Sequence, residues 1–236
     1  MVNGEKPSPL NPQSRTQTLE FSNFFMLSPS NMLAALLRAA LATLLFGGLA
    51  ACGDKIPSLP KLGQSDVVLA FGDSLTYGTG AGEQESYPRI LARLIGREVV
   101  GAGVPGEVSA EGLERLPGVI EEFKPKLLLL CLGGNDMLRK IDSAVTESNL
   151  RAMVRLARER GVAVMLIGVP QPVLFGGNAA FYEKIAEELA VPIENKVLQE
   201  VLFDKKLKSD TIHPNAEGYR QMAEAIAGLL RKAGAI

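Results

Sequence analysis

The sequence of 236 residues contains one histidine and two cysteines. A single histidine with no cluster of carboxylates around it cannot build a typical zinc site, which needs three or four protein ligands. We therefore predict neither a metal nor another cofactor. The cysteines are Cys52 and Cys131, and the second lies in the apolar run LLLLCLGG. That setting is typical of a buried, unreactive thiol, so no disulfide is expected.

The sequence also lacks an excess of charge of either sign. Lys and Arg number 25, Asp and Glu number 26, and no basic run is long enough to form a phosphate-binding surface. This balance argues against a nucleic-acid partner. The content of 22% charged and 47% hydrophobic residues is ordinary for one globular domain. No internal repeat and no second domain is apparent, and we expect a monomer.

No hydrophobic run is long enough to span a bilayer. The candidate near the N-terminus is the uncharged stretch of thirteen residues from Ala39 to Ala51, which follows Arg38. A spanning helix needs about 20 residues, whereas this length is typical of a secretory signal. The alternative is a buried helix of the domain. Residues 1–19 are polar and rich in Pro and Ser, which predicts disorder.

The signal-like stretch ends in LAAC at Cys52, which resembles the bacterial lipobox. That resemblance implies cleavage before Cys52, a lipid on its thiol, and a mature chain of 185 residues starting there. Translation would then start at Met1, Met26 or Met32. We expect an extension and signal at 1–51, a Pro/Gly-rich tether at 52–64 and a domain at 65–236. The expected location is the bacterial envelope, in the outer membrane facing the periplasm, because Gly53 rather than Asp follows Cys52.

Strand-like and helix-like segments alternate from residue 66 onward, which predicts a parallel sheet covered by helices on both faces. The fold class is α/β, with three layers and about five strands. The predicted strands lie within residues 66–74, 97–103, 125–134, 162–170 and 191–197. The predicted helices lie within residues 87–96, 109–123, 143–161, 178–190 and 215–234, with Ser109 and Asn215 as N-caps.

Four polar loop positions follow these strands or precede the last helix. They are Ser74, Gly106, Asn135 and the segment 209–215, which reads SDTIHPN. In a parallel sheet the ligand crevice lies beyond the carboxyl ends of the strands, so we expect these loops to converge there.

The sole histidine, His213, is the base that a serine nucleophile at Ser74 would require at neutral pH. Asp210 is three residues upstream and could fix the tautomer of the imidazole ring. The developing oxyanion needs donors, which the backbone N–H groups of Ser74 and Gly106 and the side-chain amide of Asn135 could supply. These residues together predict acyl transfer through an acyl-enzyme.

Four sequence blocks carry a family resemblance. They are GDSL at residues 72–75, AGVPGEVSAEGLERLP around Gly106, GGND at 133–136 and DTIHPN at 210–215. In that order they resemble the SGNH (GDSL) hydrolases over residues 65–231, and within them the bacterial thioesterase, lysophospholipase and arylesterase group. The resemblance implies a flavodoxin-like fold and the catalytic roles given above. Thr211 stands where many relatives carry glycine, which affects only local loop geometry. The pattern G-x-S-x-G of α/β-hydrolases is absent.

Each block alone has a structural alternative. Ser74 could be a helix cap, Asn135 a turn residue and His213 a packed or surface histidine. It is their order, at the ends of successive predicted strands, that favours a catalytic site.

The substrate is less constrained by the sequence. The loop PQPVLFGGN contains Val173, Leu174 and Phe175, which we expect to line an acyl pocket, although they could equally close the edge of the sheet. The leading hypothesis is a lipid-anchored esterase acting on lysophospholipids, aryl esters or acyl esters and thioesters. The alternatives are an O-acetylesterase of cell-wall or other polysaccharide and a non-catalytic binding protein of the envelope.

The lipobox hypothesis can be tested by fractionating bacteria that express the full chain. Replacement Cys52→Ala should shift the protein from the membrane to the soluble fraction, because the thiol that carries the lipid is gone. Cys131→Ala is the matched control and should leave the distribution unchanged. Continued membrane association of Cys52→Ala would instead indicate an uncleaved N-terminal anchor.

Overall fold

The computed structural model describes residues 56–171 and 179–236. These form five strands and eight α-helices, plus a 3-10 turn at Glu83–Glu85. The strands are β1 Val68–Gly72, β2 Val99–Gly103, β3 Leu127–Cys131, β4 Ala163–Ile167 and β5 Ile193–Glu194. The helices are α1 Ser74–Tyr77, α2 Tyr87–Ile95, α3 Ser109–Phe123, α4 Gly134–Leu138, α5 Ser143–Glu159, α6 Ala180–Glu188, α7 Val197–Phe203 and α8 Ala216–Lys232.

All five strands are parallel, and their order in the sheet is β2-β1-β3-β4-β5. The predicted α/β class, parallel sheet and strand count are confirmed. This order is that of the flavodoxin-like doubly wound sheets, in which the chain moves away from β1 in both directions. The crevice of such a sheet opens beyond the carboxyl ends of β1 and β3. In register, Gly72 at the end of β1 lies between Gly103 of β2 and Cys131 of β3.

The central strands are apolar along their whole length because helices cover both faces of the sheet. Every residue of β1 and β3 is buried, as are the last four of β4. Helices α2 and α8 pack against each other, and α3 packs against α5. Right-handed crossovers place these two pairs on opposite faces, since β1 to β2 and β2 to β3 run in opposite directions across the sheet. No helix in residues 56–171 or 179–236 has the length and apolarity to cross a bilayer.

Part of the predicted tether is packed against the domain. Leu59 and Leu62 are buried, and their backbone N–H groups donate to the carbonyls of Ala233 and Ala235, each at 2.8 Å. These leucines supply the apolar contacts that a flexible linker lacks. The predicted signal and Cys52 lie outside the described residues.

The predicted N-cap at Ser109 is wrong, whereas that at Asn215 is confirmed. The first residue of α3 is Ser109 itself, and the carboxylate of Glu111 accepts from the Val108 N–H at 3.1 Å. The side chain of Asn215 accepts from the Gly218 N–H at 3.1 Å, as a cap does. The short helices α1, α4 and α7 have too few residues to show a helical period, which is why sequence reasoning missed them.

Two glycines let the ends of the first three strands approach the turn after β1. A Cβ on Gly72 would lie 2.2 Å from the Cys131 carbonyl oxygen and 2.3 Å from Thr76 Oγ1. A Cβ on Gly103 would lie 2.2 Å from the Tyr77 backbone nitrogen. Side chains are therefore excluded at both positions, and the backbone of α1 rests directly on the sheet.

Replacement Gly72→Ala should reduce the free energy of unfolding by about 1–3 kcal/mol, as overpacking in rigid cores does. Chemical denaturation monitored by circular dichroism measures this change. The matched control is Gly118→Ala within α3, where a Cβ would meet no atom within 4 Å. It should raise stability by up to about 1 kcal/mol, since alanine is the better helix former. Equal effects of the two changes would contradict the packing argument.

Candidate active site

Ser74 is the first residue of α1, immediately beyond the carboxyl end of β1. It is not the cap of that helix. The cap is Asp73, whose Oδ1 accepts from the Leu75 N–H at 3.0 Å. The hydroxyl of Ser74 is thereby left for another partner.

That partner is the single histidine. Ser74 Oγ lies 2.9 Å from His213 Nε2, and His213 Nδ1 lies 2.7 Å from Asp210 Oδ2. The three side chains form a continuous chain of hydrogen bonds, although 139 residues separate Ser74 from His213. His213 is largely buried, with 14% of its side chain exposed, whereas half of the Asp210 side chain faces solvent.

Asp210 is oriented by its own loop. Its Oδ1 accepts from the backbone N–H groups of Ile212 and His213, each at 2.8 Å, which leaves Oδ2 for the imidazole. Partial burial raises the pKa of Asp210, but the hydrogen bonds from the His213 ring and from these two N–H groups outweigh it. The net pKa lies below its usual value, so the group is a carboxylate at neutral pH.

The loop that carries His213 is braced against the start of α8. The Ser209 N–H donates to the His213 carbonyl at 3.0 Å, and the Asn215 N–H donates to the Leu207 carbonyl at 2.9 Å. Within α8, the buried Tyr219 donates its hydroxyl to the Thr79 carbonyl at 2.8 Å. This last bond ties the histidine side of the site to the loop that follows Ser74.

Asn135 is in α4, and its amide faces the serine turn. Its Nδ2 donates to Asp73 Oδ2 at 3.1 Å and to the Glu107 carbonyl at 3.0 Å. The left-handed residue of this turn is Gly133, with φ of 111°, rather than Asn135. A tolerance for that conformation therefore does not explain the asparagine.

Gly106 lies beside this group, next to Glu107, in a left-handed conformation with φ of 83°. Its carbonyl accepts from Arg139 Nη2 at 2.7 Å, which ties the loop after β2 to the end of α4. The structure thus brings Ser74, His213, Asp210 and Asn135 together, with the loop of Gly106 adjoining Asn135.

Two further carboxylates near the site were missed by sequence reasoning, although GDSL and GGND display both. Asp73 is only 2% exposed, and burial raises its pKa from 3.8 to about 7. Asp136 is 1% exposed and accepts from the Ser109 N–H at 2.8 Å, which fixes the start of α3 against α4. Glu107 pairs with Arg115 at 2.7 Å, and this guanidinium lies over the Phe71 ring.

A cavity of about 570 Å³ opens beside Ser74. Its described lining is largely apolar around the polar site residues, and includes Leu138, Val169, Pro170, Leu202, Phe203 and Ile212. The predicted pocket residues Val173, Leu174 and Phe175 lie outside the described residues. In the part of the chain that the structure describes, no group of three His, Cys, Asp or Glu side chains is placed to hold a metal ion. Cys131 is buried, and burial raises the pKa of its thiol.

The chain is similar to known proteins of one family. The model of the GDSL-like Lipase/Acylhydrolase family matches residues 70–221. Thioesterase 1/protease 1/lysophospholipase L1 of Escherichia coli K12 is 30% identical over 175 residues, covering 71% of this chain and 84% of that protein. An arylesterase of Vibrio mimicus is also 30% identical, covering 71% of this chain and 90% of that protein.

Solved structures show the same similarity. A crystal structure of TesA matches with a TM-score of 0.66 and 28% identity, covering 71% of this chain and 99% of that one. The esterase AlinE4 of the SGNH-hydrolase family matches with a TM-score of 0.57 and 32% identity, covering 73% of this chain and 98% of that one.

The raised pKa of Asp73 predicts a pH-dependent stability. Below about pH 4 the group is protonated in both the folded and unfolded chain, whereas between pH 4 and 7 only the unfolded chain ionises. This group alone should therefore lower the free energy of unfolding by up to about 1.4 kcal/mol per pH unit over that range. Denaturant unfolding of the wild type and of Asp73→Asn at pH 4.5 and 7.5 measures this change in the free energy of unfolding.

The variant cannot ionise at this position, so its stability relative to the wild type should rise with pH. Asp142→Asn, at the exposed cap of α5, controls for an Asp-to-Asn change at a helix cap away from the site. A constant difference between wild type and Asp73→Asn would contradict the raised pKa.

Proposed function

The chain belongs to the GDSL-like lipase/acylhydrolase family and is a carboxylic ester hydrolase, and from that premise we propose that Ser74, His213 and Asp210 hydrolyse its substrate through an acyl-enzyme. The observation that carries the proposal is the unbroken hydrogen-bond chain among these three side chains at the wall of an apolar cavity.

In the first half-reaction Ser74 Oγ attacks the ester carbonyl while His213 Nε2 takes the hydroxyl proton. Asp210 Oδ2 accepts the hydrogen bond from the Nδ1–H group of His213 and stabilises the imidazolium. When the tetrahedral intermediate collapses, His213 gives its proton to the leaving alcohol or thiol, and the acyl group stays on Ser74. Water then attacks this acyl-enzyme with His213 again as the base, which releases the acid and restores the hydroxyl.

The oxyanion of each intermediate requires donors near Ser74. We assign this role to the backbone N–H groups of Ser74 and Gly106 and to Asn135 Nδ2. Ser74 is suited because its N–H is at the start of α1, where backbone N–H groups have no helical acceptor. Asn135 is suited because its amide lines the cavity beside Ser74.

The lining of the cavity favours an ester with an apolar acyl or aryl group. Leu138 and Phe203 line the cavity and are exposed at 44% and 54%, and Ile212 adjoins His213. Their burial by a substrate would contribute to binding in proportion to the apolar area covered. The volume of about 570 Å³ accommodates groups much larger than acetyl. We propose lysophospholipids, aryl esters or acyl thioesters as substrates, consistent with the names of the two curated relatives.

A lipid on Cys52 would hold such an enzyme at a bacterial membrane, where lipid esters are abundant. This proposal rests on the sequence LAAC and the preceding uncharged stretch.

Replacement Ser74→Ala should abolish hydrolysis of p-nitrophenyl esters by the full chain, because the nucleophile is removed. Ser143→Ala, at the exposed start of α5, is the matched control and should retain wild-type activity. Asp210→Asn should reduce kcat by about 10⁴-fold if the aspartate controls the tautomer of His213. Unchanged activity of Ser74→Ala would overturn the mechanism.

The same assay run from acetate to palmitate tests the substrate class. Activity that persists or rises beyond the C4 ester supports the proposal. Activity on acetate alone would favour an O-acetylesterase of polysaccharide, and no activity on any ester would favour a binding protein.

A further inference from the structure

Both hydrogens of the Asn135 amide nitrogen have protein acceptors. One is donated to Asp73 Oδ2 at 3.1 Å and the other to the Glu107 carbonyl at 3.0 Å. An asparagine amide can be turned by 180°, which exchanges its oxygen for its nitrogen. Here the turned amide would bring Oδ1 against a carboxyl oxygen and a carbonyl oxygen, so these two acceptors select the orientation in which the nitrogen faces the serine turn.

Asp73 is more than a helix cap. Its Oδ1 accepts from the Leu75 N–H in α1, while its Oδ2 accepts from Asn135 in α4. Capping a helix of four residues requires only one acceptor, which a serine or asparagine supplies equally well. Burying a carboxyl group at 2% exposure is costly, and that cost is explained if both oxygens are required.

The backbone connects this side chain directly to the nucleophile. Asp73 precedes Ser74, and its carbonyl accepts from the N–H groups of Thr76 and Tyr77 at 3.2 and 3.0 Å. Its main chain therefore fixes the serine turn while its side chain fixes Asn135. One residue sets the distance between the nucleophile and the proposed oxyanion donor.

We propose that Asp73 is a positioning residue that acts through Asn135: it holds the amide with Nδ2 facing the serine turn, so that the hydrogen it accepts from Nδ2 is shared with the oxyanion when that charge forms. This inference rests on the proposed function. The oxyanion forms in the transition state and is absent from the bound ester, so a displaced donor should lower kcat and leave KM nearly unchanged.

The test uses Asp73→Asn in the full chain. Asparagine has one oxygen, so it can accept from Leu75 or from Asn135 but not from both. Loss of an oxyanion donor typically lowers kcat by about 10²–10³-fold, and we expect a misdirected donor to lower it by about 10- to 100-fold. Asp73→Ser is the second variant, because serine can cap α1 but is too short to reach Asn135. Asp142→Asn, which caps α5 by the same bond to the N–H two residues on, is the matched control and should retain wild-type kcat.

A double-mutant cycle with Asn135→Ala separates positioning from a general structural effect. If Asp73 acts through Asn135, then Asp73→Asn should lower kcat by less than about 3-fold in the Asn135→Ala background. The full loss in both backgrounds would overturn the inference, as would wild-type kcat for Asp73→Asn and Asp73→Ser. A higher KM of Asp73→Asn with an unchanged kcat would also overturn the inference. Failure of the proposed function is distinguishable, because it would appear as wild-type activity of Ser74→Ala.

Discussion

The close contact between the end of β2 and the backbone of α1 is the constraint on which the site depends. No side chain fits at Gly103, so the turn after β1 lies directly on the neighbouring strand. Ser74 leaves the sheet from this fixed turn, and Asp73 is pressed into the interior beneath it. The hydroxyl, the buried carboxyl and the amide of Asn135 thus receive their positions from backbone packing, before any hydrogen bond between side chains is considered.

His213 comes from the other end of the chain, and its own loop and helix α8 hold it in place. Its loop is short, its aspartate is oriented by the loop's own N–H groups, and α8 begins at its edge. Because Tyr219 reaches from α8 to the carbonyl of Thr79, the two halves of the site are joined outside the reacting atoms as well as through them. Because the two halves of the site are fixed to each other at two separate points, Ser74 Oγ and His213 Nε2 can hold a distance of 2.9 Å although they are far apart in sequence.

The sequence predicted the sheet and the hydrogen-bonded set of Ser74, His213 and Asp210 because each has a local signature. Apolar runs between turns identify buried strands, and a lone histidine leaves one choice of base. The role of Asp73 and the contact of Asp136 with Ser109 depend on partners 62 and 27 residues away, which no local pattern encodes. The cavity wall formed by Leu138 and Phe203 was missed for a different reason, because both residues end short helices without a clear period. The packing of Leu59 and Leu62 was missed because the prolines and glycines around them are typical of a linker.

The hydrogen bonds from Leu59 and Leu62 to the residues after α8 also determine where the described chain enters the domain. Helix α8 has 17 residues and is therefore about 25 Å long, with the His213 loop at its start and these contacts at its end. Leu59 and Leu62 accordingly contact the domain at the end of α8 that lies away from the His213 loop. A pull on the described chain at residue 56 would therefore act first on these two backbone hydrogen bonds, about one helix length away from the His213 loop.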